Sequence, residues 1–272
     1  MLFVLSPAKS LDYDTPVAPA AHSAPLFMDD AAELIELLKT QSPQQIASLM
    51  GISDKLALLN VGRYAAWRKK ATPDNARQAV LAFDGDVYDG LSARTLNSAQ
   101  LDWAQQHLCI LSGLYGVLRP LDLLQAYRLE MGTKLANARG SDLYQFWGSK
   151  IAQYLNTRLA EQGGEPVLVN LASQEYFKAI DLRTLQARVV ECVFEDYKDG
   201  KYKIISFFAK RARGLMMRYA IEQQVDTVEG LTGFDADGYA WAPDASGPDR
   251  LVFRRRQAGG VNSFQSQQAS KP

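Results

Sequence analysis

Four apolar runs of only four or five residues constrain this chain more than any other feature. They are Leu2-Phe3-Val4-Leu5, Val80-Leu81-Ala82-Phe83, Leu108-Cys109-Ile110-Leu111 and Val167-Leu168-Val169-Asn170-Leu171. Short continuous apolar runs read as strands buried on both faces. Helical segments lie between them. Asp29 caps a helix running to about Lys39, Ser98 starts one reaching about His107, and a long one covers roughly Leu143 to Glu161, closed by Gly163-Gly164. Residues 189–196 and 201–208 read as strands joined by Lys198-Asp199-Gly200, and Asp-Gly between such runs signals a hairpin. Tyr239 to Trp241 and Leu251 to Arg255 read as a last hairpin. Interleaved strands and helices with antiparallel hairpins predict an α/β fold of the mixed α+β kind, a central mixed sheet wrapped by helices.

With 47% hydrophobic and 22% charged residues the composition is that of a globular chain, so these runs have a core to enter. No repeat or linker interrupts residues 1–256, which read as one domain. Residues 11–25 read as a surface loop, and 257–272 as a disordered polar tail. The first apolar run is short and has no basic segment before it, so a signal peptide is not expected. No apolar stretch approaches the ~18 residues of a membrane helix. A cytoplasmic location, no membrane partner and a monomer are expected. Cys109 and Cys192 each sit in apolar runs and read as buried small hydrophobes.

Residues 43–62 hold the first candidate binding element. Ser42 suits an N-cap and Pro43 the first helical position. Ile46 and Leu49 share a face, Gly51 suits a left-handed stop, and Ser53 caps a second helix with Leu56, Ala57 and Leu59. Two short helices around a hairpin at Met50 to Ser53 would aim backbone N–H groups outward, where the helix dipole favours a phosphate. Gly51, Ile52, Ser53 and Lys55 are the candidate contacts. The same pattern also fits a corner that only packs.

A second candidate is the basic helix from about Ala209 to Gln224. At ~100° per residue, Lys210, Arg211, Arg213 and Arg218 fall in one arc of about 160°, opposite Ala212, Leu215, Met216 and Tyr219. No acidic residue lies between Ala209 and Ile221, so the helix reads as lacking intrahelical salt partners and showing a cationic face. Lys201, Lys203 and Arg254 to Arg256 add nearby positive charge. A solvated charged surface is the plainer alternative. The formal net charge of zero argues against a wholly basic binder and leaves room for a local basic face.

Polar residues also gather after strands. Ser6-Pro7-Ala8-Lys9-Ser10 follows the first, where α/β sheets often place ligands. Tyr115, Arg119, Tyr127, Arg128 and Glu130 lie in a loop-like stretch, Leu114 to Gly132, and Asn170, Ser173, Glu175, Tyr176 and Lys178 follow another strand. Asp84 and Asp86 flank Gly85 and read as a turn or a cation site. If these segments converge, Lys9, Arg119, Arg128, Glu130 and Lys178 would form a polar cleft suited to a nucleotide or another phosphorylated molecule. Lys9, Arg128, Glu130 and Lys178 are the candidate catalytic residues. P-loop, dinucleotide and nucleophile-elbow motifs are absent, so no reaction is specified. His22 and His107 are isolated, and no cofactor or metal is expected.

The whole of residues 1–256 resembles the YaaA family of peroxide-stress proteins. The resemblance is carried by Ser6-Pro7-Ala8-Lys9, Gly85-Asp86-Val87-Tyr88, the run Leu111 to Asp122, Tyr127-Arg128-Leu129-Glu130-Met131-Gly132, Tyr144-Gln145-Phe146-Trp147-Gly148, the run Asn170 to Lys178, Ile204-Ile205-Ser206-Phe207 and Ala212-Arg213-Gly214-Leu215-Met216. It implies a central sheet wrapped by helices, a role in limiting hydrogen-peroxide damage partly by keeping free iron low, and binding of double-stranded DNA through a helix-hairpin-helix element and a positively charged cleft. Residues 43–62 also resemble the helix-hairpin-helix family of DNA-backbone binders, whose hairpin is typically Gly-hydrophobic-Gly, where this chain has Gly51-Ile52-Ser53.

Overall fold

Eight strands pair into one sheet in the computed structural model, which describes residues 1–17 and 21–256. In chain order they are β1 (Leu2–Leu5), β2 (Leu108–Ser112), β3 (Gly116–Leu118), β4 (Val167–Leu171), β5 (Arg188–Lys198), β6 (Lys201–Lys203), β7 (Ala240–Trp241) and β8 (Arg250–Arg255). The spatial order is β7-β8-β5-β4-β1-β2-β3, with β6 paired to β5. The neighbours β8, β5, β4, β1 and β2 run parallel. In this sheet β3, β6 and β7 run antiparallel to their neighbours. The sheet is therefore mixed, as the hairpin signals require.

Leu2, Phe3, Val4 and Leu5 of β1 are all fully buried. Each such side chain contributes about 1.5–3 kcal/mol of transfer free energy, which is why this run sits at the sheet centre. It pairs with β2 on one side and β4 on the other. The chain leaves β1 for β2 and later returns to its opposite flank at β4. The carboxyl end of β1 is thus a switch point, where the loops diverge and leave a crevice.

The principal helices are α1 (Met28–Lys39), α2 (Pro43–Met50), α3 (Asp54–Ala66), α4 (Asp86–Leu91), α5 (Ser98–His107), α6 (Lys150–Gln162) and α7 (Ser206–Gln223). Ser42 caps α2 in a reciprocal capping box with Gln45, and Asn97 does the same for α5 with Gln100. None of the helices is long and apolar enough to cross a membrane among the described residues. The described part of the 11–25 loop omits residues 18–20, and the 257–272 tail lies outside the described residues.

Several sequence-based boundaries move. Val80-Leu81-Ala82-Phe83 is not a sheet strand: Ala79–Ala82 is one helical turn, and only Phe83–Asp84 is extended, pairing with Ser10–Leu11. A buried four-residue apolar run fits either state, and here tertiary packing decides. Asp84 to Tyr88 is not just a turn, because α4 starts at Asp86 after Gly85. The helix expected over Leu143 to Glu161 is two, Leu143–Trp147 and α6, split at Gly148 with φ 48° and ψ −122°, a conformation open to glycine. The strand expected over 201–208 stops at Lys203, and α7 begins at Ser206.

The largest correction concerns α7. Its cationic arc is centred on Gly214, Met217 and Ile221, which the 100° wheel places between Arg213 and Arg211, and all three are buried. That arc packs on α4. A Cβ on Gly214 would lie 1.8 Å from the Val87 carbonyl oxygen, and one on Gly90 would lie 2.2 Å from the Arg211 carbonyl oxygen. The opposite stripe, with Ala209, Ala212, Met216 and Ala220, is buried too. The helix is held on two sides, so its basic residues emerge from the margins of a helix–helix contact.

Candidate functional site

The loops after β1, β2 and β4 converge at the switch point. Ser6, just past β1, accepts a hydrogen bond at Oγ from the Ser173 amide at 2.8 Å, which ties the β1 and β4 exits together. The buried Tyr88 hydroxyl on α4 donates to the Ser6 carbonyl at 3.0 Å. The segment 127–132 is laid across this end of the sheet. Tyr127 and Ser112 share a hydroxyl hydrogen bond of 2.7 Å, and the Gly132 amide donates to Glu175 at 2.9 Å. Gly113 allows the closest approach, since a Cβ there would sit 2.2 Å from the Leu129 carbonyl oxygen.

On this platform Glu130 bridges two cations. Its carboxylate lies 2.7 Å from Lys9 Nζ and 2.9 Å from Arg128 Nη2. Lys9 is largely exposed, whereas Arg128 and Glu130 are mostly covered. Arg128 Nε is buried and has no hydrogen-bond partner among the described residues. The helix α3 supplies the remaining wall. Tyr64 donates its hydroxyl to the Arg128 carbonyl, and Arg63 lies close enough for the two guanidinium charges to repel. Burial chiefly lowers the Arg63 pKa; Tyr13 and Tyr64 oppose this and Arg128 adds to it. Burial pushes the Tyr88, Tyr127 and Tyr176 phenols upward, so these groups stay neutral donors or acceptors. The cleft therefore presents Lys9 and Arg128 against Glu130, with the Glu175 carboxylate close by at the Gly132 amide.

Of the residues that the sequence marks for such a cleft, Lys9, Arg128 and Glu130 come together. Lys178 stands apart, its ammonium 4.8 Å from the Tyr144 ring centroid. Arg119 does not join the cleft: it is held by the buried Asp122 at 2.9 Å and donates to the Ala24 carbonyl. Arg63, Tyr64 and the Ser6–Ser173 link carry no sequence signal, because their roles arise only when separate segments meet. Asp84, Asp86 and Asp89 line up near Arg211 instead, and burial followed by the first two carboxylates raises the Asp89 pKa. Among the described residues, no group of three or more His, Cys, Asp or Glu is placed to hold a metal ion.

The turn between α2 and α3 is the second surface of interest. Gly51 is left-handed (φ 61°, ψ 43°), with nothing within 4 Å of where a Cβ would stand. Ile52 is half-buried and donates its amide to Ala47 at 3.1 Å. Ser53 caps α3 by accepting from the Leu56 amide. The first-turn amides of Asp54 and Lys55 have no acceptor within the helix, and Lys55 is exposed. Arg63 and Tyr64 lie on this same α3, so the turn and the cleft sit at opposite ends of one element.

The cationic residues of α7 are less free than its sequence implies. Lys210 is exposed. Arg218 forms an intrahelical pair with Glu222 at 2.5 Å and donates to Ser92 and Thr95, so the helix does have an internal salt partner. Arg211 feels the Asp89 carboxylate. Arg213 is largely covered; burial lowers its pKa, opposed by Glu191.

Both cysteines are buried and unpaired, and burial pushes their thiols up to about 12. Peroxide reacts with the thiolate, the form that burial disfavours at both cysteines.

The fold and site define a mixed α/β protein with a cation-rich cleft at the sheet switch point. Residues 1–245 match the family described as peroxide stress protein YaaA, and the chain belongs to that family. Its relatives include UPF0246 proteins of Albidiferax ferrireducens, Polaromonas sp. and Delftia acidovorans, each 65% identical. The first covers 94% of this chain and 99% of its own length; the other two cover 95% of this chain and 100% of theirs. The family assignment places the protein in the response to peroxide stress.

Proposed function

We propose that the protein limits iron-driven peroxide damage by lying on the backbone of double-stranded DNA, with the α2–α3 turn acting as a helix-hairpin-helix contact. The observation that carries this reading is the open turn itself. Gly51 leaves the backbone unobstructed, the first-turn amides of α3 have no helical acceptor, and Lys55 stands exposed beside them. Asp54 occupies the same first turn and opposes a phosphate. The contact is therefore weak, and affinity needs support from other exposed cations, Lys210 among them.

Backbone binding also connects DNA to iron. Each phosphate neutralised by the protein releases a condensed counterion. Ferrous ions condensed on DNA are displaced in the same way, which removes the metal from where hydroxyl radicals do damage.

The test is duplex binding by fluorescence anisotropy across a salt series. Affinity falls steeply with salt and depends little on base sequence. Lys55→Glu weakens binding several-fold and lowers the salt slope by about 1. Plasmid nicking by ferrous iron and peroxide is slowed by the wild type and not by that variant. A flat salt response, or Lys55→Glu binding like wild type, refutes the reading.

A further inference from the structure

We infer that the cleft between Lys9 and Arg128 is a second, separate site, one that takes the phosphate of a small phosphorylated molecule in place of the Glu130 carboxylate. It lies at the carboxyl ends of β1, β2 and β4, where the sheet's loops diverge and ligands of open α/β sheets bind. Two cations, Lys9 and Arg128, close on the single Glu130 carboxylate. Arg128 also keeps a buried Nε donor with no acceptor among the described residues. A buried charged donor without an acceptor is uncommon, because it forfeits hydration without replacement. A phosphate has enough oxygens to meet Nη2, Nε and the Lys9 ammonium at once, which one carboxylate held between two cations does not.

The present arrangement is closed. The space left among Pro7, Lys9, Arg128, Glu130 and Tyr176 is about 10 Å³, no more than a single water requires. A phosphate therefore enters only as Glu130 swings away from one or both cations. Nothing in the backbone resists this, since Lys9 reaches in from solvent with 63% of its side chain exposed and Glu130 is 21% exposed. Glu130 is then the competitor that keeps the site shut, and its charge sets the affinity. This is a small-molecule site rather than a further contact for a duplex, because the orphan donor is buried and out of reach of a broad helical backbone.

Neutralising Glu130 should therefore improve binding. With inorganic phosphate and AMP as probes, titration calorimetry on the full chain at low ionic strength shows binding to the wild type. Glu130→Gln tightens it roughly tenfold, and Lys9→Ala weakens it by a similar factor, the scale of one charged hydrogen bond. Lys55→Glu, in the α2–α3 turn, leaves phosphate binding unchanged. A short duplex provides the second arm. If Lys9→Ala and Glu130→Gln alter duplex affinity while neither probe binds any variant, the cleft is a DNA contact and the inference is overturned. It is equally overturned if Glu130→Gln binds phosphate no better than the wild type. Because the turn variant is scored separately, loss of duplex binding in Lys55→Glu bears only on the DNA reading.

Discussion

A Cβ on Gly214 would lie 1.8 Å from the carbonyl oxygen of Val87, so α4 and α7 cross with their backbones in contact. The obstructing atoms are backbone and cannot rotate aside. Gly214→Ala must push the helices apart, and overpacking of this kind costs about 1–3 kcal/mol, occasionally more. Thermal denaturation should show a fall in Tm. Because Val87 precedes the Tyr88 that donates to Ser6, phosphate binding at the cleft should weaken with it. An unchanged Tm would show that the two helices are not locked.

Arg255 and Asp196 form a pair 2.7 Å apart with side chains only 7% and 4% exposed. The Tyr239 hydroxyl donates to the same carboxylate at 2.8 Å. Asp196→Ala leaves the guanidinium with Asp237 alone, 2.7 Å away and 44% exposed, and takes the acceptor from Tyr239, so the loss should fall at the lower end of the about 3–5 kcal/mol that a broken buried pair costs. Urea midpoints measure this. Arg255→Met with Asp196→Leu should recover much of the loss, because well-packed apolar replacements remove both desolvation penalties.

Acid stability should depend on Asp30. Burial alone would raise its pKa, but hydrogen bonds from Lys150 at 2.5 Å and Arg139 at 2.7 Å outweigh it and hold the carboxyl below 3.8. A depressed folded pKa means the unfolded chain binds the proton more readily. The stabilisation is therefore complete well above pH 3.8 and is lost as pH falls through the lower folded value. Asp30→Asn should be less stable at neutral pH and show a shallower decline below about pH 4. Equal slopes for both proteins in urea titrations from about pH 6 to about pH 3 would exclude this role.

Two glycines should respond in opposite directions. Gly148 breaks the chain between Trp147 and α6 with φ 48° and ψ −122°, so Gly148→Ala costs roughly 1–3 kcal/mol in backbone strain. Gly62 is an exposed residue inside α3 with open space where a methyl group would stand, so Gly62→Ala stabilises by roughly 0.5–1 kcal/mol. Guanidinium midpoints for the two variants should fall on either side of the wild type.

The strands and capped helices were readable because each signal is local. The apolar runs at Leu2, Leu108 and Val167 are flanked by turn residues, Ser6-Pro7, Ser112-Gly113 and Gly163-Gly164, and form buried strands, and Ser42, Pro43 and Gly51 bound α2 by their own stereochemistry. Lys9, Arg128 and Glu130 were legible as polar residues in strand-following loops. Val80 to Phe83 was not legible, since a run of that length suits either state until neighbours choose. Gly148 was hidden inside a helical pattern that continues on both sides.

By itself the sequence determined the kind of sheet, the two short helices with the open turn between them, and the peroxide-stress family. Tertiary structure alone decided which charges are free. Lys210, Arg211, Arg213 and Arg218 share an arc on a helical wheel, yet Gly214 and Gly90 let α4 occupy the centre of that arc. Lys9 and Glu130, far apart in the chain, meet at 2.7 Å because β1 lies between β2 and β4. A charge pattern along one element records its angles but not its neighbours. Electrostatic function depends on those neighbours, through burial and pairing, and they come from distant parts of the chain.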